Sequence, residues 1–156
     1  MGNEQIHKQL KDHIIGLQHV GYIVPNLKQA VDNFKRVYGV TDDDIIIFPD
    51  YEISGPEVLT RFAFINVQGC EFELIEPISA EFKTLLNNSA SGGAGINHVA
   101  WQVTDIEGAV AALATKNISP GHVTPNGVID MGRKKMVYLD PQTTDGLLIE
   151  LIEVIS

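Results

Sequence analysis

One stretch of this chain is written twice, and that repetition limits its fold more than any single motif. Leu17-Gln18-His19-Val20-Gly21-Tyr22-Ile23-Val24 returns as Ile96-Asn97-His98-Val99-Ala100-Trp101-Gln102-Val103. Gly69-Cys70-Glu71-Phe72-Glu73-Leu74-Ile75-Glu76 returns as Gly146-Leu147-Leu148-Ile149-Glu150-Leu151-Ile152-Glu153. The histidines stand 79 positions apart (19 and 98), the glutamates 77 (73 and 150). So long a period belongs to a duplicated supersecondary unit, not to a solenoid. A half of about 70 residues is marginal by itself, which favours two halves sharing one buried interface.

The segments between the repeated motifs run in the same order in both halves. Residues 1–15 read as a short polar arm with helical character. Gly16 opens a strand from Leu17 to Val24, ended by Pro25. Asn26 suits the N-cap of a helix carrying Leu27, Ala30, Val31, Phe34 and Tyr38 at helical spacing, and Gly39 is its natural stop. A short strand at Ile45–Phe48 follows, then a hairpin of Leu59–Val67 and Cys70–Glu76 across Gln68-Gly69. Residues 79–95 form a linker: a helical piece from Ala80 to Leu86, then a tract rich in Ser, Asn and Gly. The second half repeats the order with a strand at Ile96–Val103 and a helix capped by Asp105. A weak strand near Gly121–Thr124 and stronger ones at Lys135–Asp140 and Leu147–Val154 complete it. The expected architecture is α+β, two tandem βαβββ modules at 16–78 and 96–156 forming a cupped mixed sheet.

Composition removes several function classes. Apolar content of 44% and charged content of 20% belong to a folded globular chain. A net charge of −9 argues against nucleic acid, whose phosphates require a basic face, and against an anionic membrane surface. The single cysteine, Cys70, supports neither a disulfide nor a thiolate metal site. The polar start does not read as a signal peptide, and the most apolar run, Leu147–Ile152, is interrupted by Glu150, so no membrane span is expected. A cytoplasmic setting is the expectation.

Each half offers one His and one Glu at matching places: His19 with Glu73, and His98 with Glu150. Side chains at i and i+2 share a strand face, so His19 lies with Gly21 and Ile23, and His98 with Ala100 and Gln102. Gly21 and Ala100 leave room beside each imidazole. Glu150 is flanked by Leu148 and Ile152, and a carboxylate in such surroundings needs a partner. Glu73 shares its face with Glu71 as well as Ile75. A lone strand histidine is commonly structural, but the same residue types held at the same places in two diverged halves point to a metal. Two imidazoles and two carboxylates suit a divalent Co, Ni, Mn, Fe or Zn ion. Such a set leaves octahedral positions open for Lewis-acid chemistry.

At these residues the chain resembles the vicinal oxygen chelate superfamily, the glyoxalase/bleomycin resistance/dioxygenase group, across about residues 16–154. Within it the similarity is to the methylmalonyl-CoA epimerase family. Glu73-Leu74-Ile75-Glu76-Pro77 resembles that family's E-L-L-E-P. Gly92-Gly93-Ala94-Gly95-Ile96-Asn97-His98-Val99-Ala100 resembles its glycine-rich run into I-H-H-[IV]-A, and Asp140–Leu151 resembles its P-K-x-T-H-G-V-L-I-E-L ending. The departures are Asn97 for the first His, Asp145 where the family often has His, and no Q-G-V step within Tyr51–Thr60. In that stretch Glu52 and Glu57 are both open as the family's further carboxylate. The resemblance implies metal ligands His19, Glu73, His98 and Glu150.

It further implies reversible proton transfer next to a carbonyl through an enediolate. Glu150 is the first proton-transfer candidate and Glu73 its counterpart; a second base is not identified. Arg61 is the candidate for a substrate carboxylate, since guanidinium pairs with one bidentately. Arg133-Lys134-Lys135 is the only basic run. The expected substrate is a small molecule, an acyl-CoA thioester or a glutathione adduct. The alternatives are a glyoxalase I-type lactoylglutathione lyase and a non-catalytic binding protein of the bleomycin-resistance kind. A homodimer is expected, because module edges in this superfamily commonly pair.

Overall fold

Twelve segments of helix and strand follow one another in the duplicated order. The computed structural model describes residues 8–87 and 95–155. They are α1 (Leu10–His13), β1 (Ile14–Ile23), α2 (Leu27–Tyr38), β2 (Ile45–Phe48), β3 (Thr60–Val67) and β4 (Cys70–Pro77). Then come α3 (Ala80–Asn87), β5 (Gly95–Val103), α4 (Ile106–Ala114), β6 (Ile129–Asp130), β7 (Lys134–Tyr138) and β8 (Ile149–Val154). The fold is mixed α+β, and βαβββ appears twice, as β1-α2-β2-β3-β4 and β5-α4-β6-β7-β8. The Ser/Asn/Gly-rich part of the expected linker, 88–94, lies outside the described residues. No helix among those described is long and apolar enough to cross a membrane.

The described residues from His19 to His98 form one compact unit; those up to Gln18 and from Val99 onward form another. Strands β1 and β5 therefore each run through both units, changing over at Gln18–His19 and His98–Val99.

In the His19–His98 unit the strands are ordered β2-β3-β4-β1, with β5 next to β1. Strand β1 runs parallel to β4, pairing Gly21 with Glu73 and Tyr22 with Leu74. Strand β4 is antiparallel to β3, which is antiparallel to β2. The β3–β4 turn places Gln68 at φ 51° and Gly69 at φ 88°, the double left-handed geometry of a two-residue hairpin. Helix α2 packs Leu27 and Val31 on Ala63, Ile65 and Leu74. It begins where the Asn26 side chain accepts from the Gln29 N–H (3.0 Å) and ends at Gly39, φ 73°. One sheet face is thereby committed to the helix. The other carries His19, Gly21, Glu73, Phe62 and Phe64.

In the second unit the order is β5-β8-β7-β6, with the start of β1 next to β5. Helix α4 packs Ile106, Ala109 and Leu113 against Val103, Val137, Leu139 and Leu151. Its first turn is satisfied twice: the Gly108 N–H donates to Asp105 and the Ile106 N–H to Glu153, both at 3.0 Å. The N–H of Thr104 donates to the carbonyl of His13, so β1 starts at Ile14, within the stretch expected to be a polar arm.

The strand expected near Gly121–Thr124 is a turn. The His122 backbone is left-handed (φ 56°), and Gly121 passes so close to Asp140 that a Cβ would strike it. The Thr124 hydroxyl accepts from the Tyr138 N–H (2.9 Å) and lies 3.0 Å from the carbonyls of Gly121 and Tyr138. One buried side chain thus takes over pairing that a strand backbone would have supplied. The short strand β6 lies further on, at Ile129–Asp130.

Candidate metal centre

Three side chains expected as ligands converge within the His19–His98 unit. The Nε2 atom of His19 lies 3.0 Å from Oε2 of Glu73 and 3.0 Å from Nε2 of His98. The imidazoles meet edge to face, centroids 5.1 Å apart at 84°. His19 and His98 are buried, while Glu73 keeps 14% of its side chain exposed. Donor atoms from all three lie within 4.8 Å of one another, close enough to hold one ion.

Local structure explains the convergence. Parallel pairing of β1 and β4 sets Glu73 beside Gly21, one step diagonally from His19. Gly21 is the other requirement: a Cβ there would fall on the ring of His98. Asn97 orients that ring, its Oδ1 lying 2.8 Å from His98 Nδ1. Because an amide oxygen only accepts, Nδ1 carries the proton and the lone pair of His98 Nε2 faces His19 and Glu73. This is the tautomer a ligand needs, held by a neighbour in the way outer-shell groups hold metal-bound imidazoles. Two imidazole nitrogens and a carboxylate suit a borderline divalent ion and fit the donor chemistry expected of this chain.

The remaining expected residues are placed elsewhere. Glu150 lies in the other unit, 5% exposed, in register with Ala100 and Tyr138. Its setting repeats that of Glu73: Gly21–Glu73–Phe64 in one unit corresponds to Ala100–Glu150–Tyr138 in the other.

Arg61 is buried, but on the α2 side of β3, alternating with Phe62 and Phe64. Its guanidinium donates to the carbonyl of Ile53 (2.7 Å) and lies 5.8 Å from the centre of the Tyr51 ring. It therefore braces the loop between β2 and β3 and does not share a face with the histidines. Burial, followed by the Asp32 and Glu76 carboxylates, raises the Tyr51 phenol above its usual range, with Arg61 and Lys35 opposing them. Two grooves of about 540 and 310 Å³ run along α2, and no residue of the triad lines either.

Glu52 and Glu57 are both exposed in the β2–β3 loop. In the sequence Asn97 is a departure from the family motif. Its position immediately before a candidate ligand histidine is the available signal for its orienting role.

A family model described as Glyoxalase/Bleomycin resistance protein/Dioxygenase superfamily matches residues 18–134. Mitochondrial methylmalonyl-CoA epimerase of Dictyostelium discoideum is 28% identical over 139 residues, 88% of this chain and 77% of that protein. The fold is similar to that of methylmalonyl-CoA epimerase from Mycobacterium tuberculosis, with TM-score 0.69, 21% identity and 98% and 95% of the two chains covered. It is similar too to a variant of the Streptomyces coelicolor epimerase in complex with 2-nitronate-propionyl-CoA, with TM-score 0.63, 21% identity and 92% and 99% covered.

Proposed function

The chain belongs to the glyoxalase/bleomycin resistance protein/dioxygenase superfamily, and from that premise we propose that it is a metal-dependent epimerase of the methylmalonyl-CoA epimerase kind. The observation that carries this reading is the meeting of His19 Nε2, Glu73 Oε2 and His98 Nε2. A relative of that name covering most of both chains supports the reaction class. The fourth ligand in this reading is Glu150, supported by its place in the repeat and by the matching register of Glu73 and Glu150.

His19, Glu73 and His98 would hold a divalent ion, which when bound would supply Lewis-acid positive charge beside a substrate carbonyl. His98, held by Asn97, keeps its lone pair directed inward. Epimerisation takes a proton from one face of the α-carbon and delivers one to the other: Glu150 is the proton-transfer group for one face and Glu73 its counterpart for the other, since a carboxylate within hydrogen-bond reach can act as general base or, once protonated, as general acid. The substrate class is an acyl-CoA thioester bearing an acidic α-proton. The protein acts as a homodimer in this reading.

The test is metal analysis of the purified protein together with deuterium exchange at the α-carbon of methylmalonyl-CoA, followed by NMR. Stoichiometric divalent metal and exchange above background are expected, both reduced in Glu150→Gln. Isomerisation of a methylglyoxal–glutathione adduct without thioester exchange would replace the epimerase with the lyase. No retained metal, and no change in His98→Ala, would end the metal reading. Native mass spectrometry reports the oligomeric state.

A further inference from the structure

The face of the sheet carrying His19 and Glu73 also carries a row of apolar side chains that the metal reading does not use. Strand register sets two lines across that face: Ile46–Phe64–Glu73–Gly21 and Phe48–Phe62–Ile75–Ile23. The rings of Phe62 and Phe64 are nearly parallel, 15° apart with centroids at 6.0 Å. Both rings are only partly buried, and beyond them Ile46 and Phe48 on the outer strand β2 are 67% and 64% exposed. The opposite residues of β3, Ala63 and Ile65, are wholly buried against α2. The outward phenylalanines are thus not part of that core. Phe64 is the direct cross-strand neighbour of Glu73.

We propose that Phe62 and Phe64, continued by Ile46 and Phe48, form the wall that receives a hydrocarbon substituent on the substrate's α-carbon, and that this chain favours substituents larger than methyl. The proposal rests on the epimerase reading of the adjacent triad and names its specificity. A substrate held beside Glu73 places its α-carbon next to Phe64. Discrimination for a lone methyl requires a small closed pocket, because one methylene is worth only about 10–200-fold even when fully enclosed. Two flat, partly exposed rings leading to an open strand edge instead gain contact as the substituent lengthens or becomes aromatic.

The experiment uses two series. Calorimetric titration of malonate, methylmalonate, butylmalonate and benzylmalonate into the metal-loaded protein reads binding without turnover. Deuterium exchange with the corresponding malonyl-CoA thioesters reads the reaction. Affinity is expected to rise about tenfold or more from malonate to benzylmalonate. In Phe64→Ala and Phe62→Ala the rise should flatten, with the loss of affinity growing from malonate to benzylmalonate. A flat series in the unsubstituted protein overturns the wall, as does an equal loss for every ligand in the variants. A dimer that dissociates in the variants with the ligand series unchanged would show that the apolar row faces a second copy of the chain, and would overturn it too. A rising binding series with no exchange from any thioester leaves the wall standing and removes the epimerase.

Discussion

Gly21 carries no side chain because the ring of His98 occupies that space. Gly21→Ala should displace the imidazole and weaken metal binding by about ten- to a hundredfold, the scale seen when a ligand's support is removed. Metal titration of the variant measures this, and an unchanged affinity would show that the ring has another resting place. The strand period made much of this legible in advance: it put His19 and Gly21 on one face and reserved room beside an imidazole. The role of Asn97 was not legible, because neighbours along a strand point to opposite faces and a bond from one to the next depends on rotamers. Arg61 escaped for another reason. Thr60–Ile65 is largely apolar on both faces, so alternation could not say which side of β3 the guanidinium takes.

Caps and turns govern the elements that hold these residues in place. Helix α2 was readable from Asn26 to Gly39 because both ends carry their own chemistry: a side-chain acceptor at one and a left-handed glycine at the other. Asn26→Ala should cost about 1 kcal/mol of stability in urea unfolding. The turn after α4 was not readable, since Gly121–Thr124 contains apolar and β-branched residues that resemble a weak strand. What decides it is the Thr124 hydroxyl beneath Tyr138. Thr124→Val, which keeps the shape and removes the acceptor, should cost about 1–3 kcal/mol by leaving a polar group unpaired. A cost within a few tenths would mean that another acceptor reaches the Tyr138 N–H. Strand β6, two exposed residues long, offers no alternation for a sequence pattern to reveal.

For the chain as a whole, the duplicated order β-α-β-β-β was legible because the repeat, the caps and the strand periods agree. The division of the folded chain into units was not, since the repeat copies and the compact units have different boundaries. Metal and stability should be linked, because an ion that binds only the folded state stabilises it by mass action. Melting temperature should rise with added divalent metal, fall with chelator, and stop responding in the double variant Glu73→Gln/His98→Ala. A response that persists in the double variant would place the stabilising ion elsewhere.

The passage of β1 and β5 through both units bears on how such a chain can change. His98 belongs to the second copy of the repeat in sequence, yet it completes a triad whose other members come from the first. Neither copy is a spare. A duplication often frees one copy to drift while the other keeps the task, but here each copy supplies a strand segment that the other's unit contains. The two have become halves of one object, and a deletion that removed either would take away part of the triad.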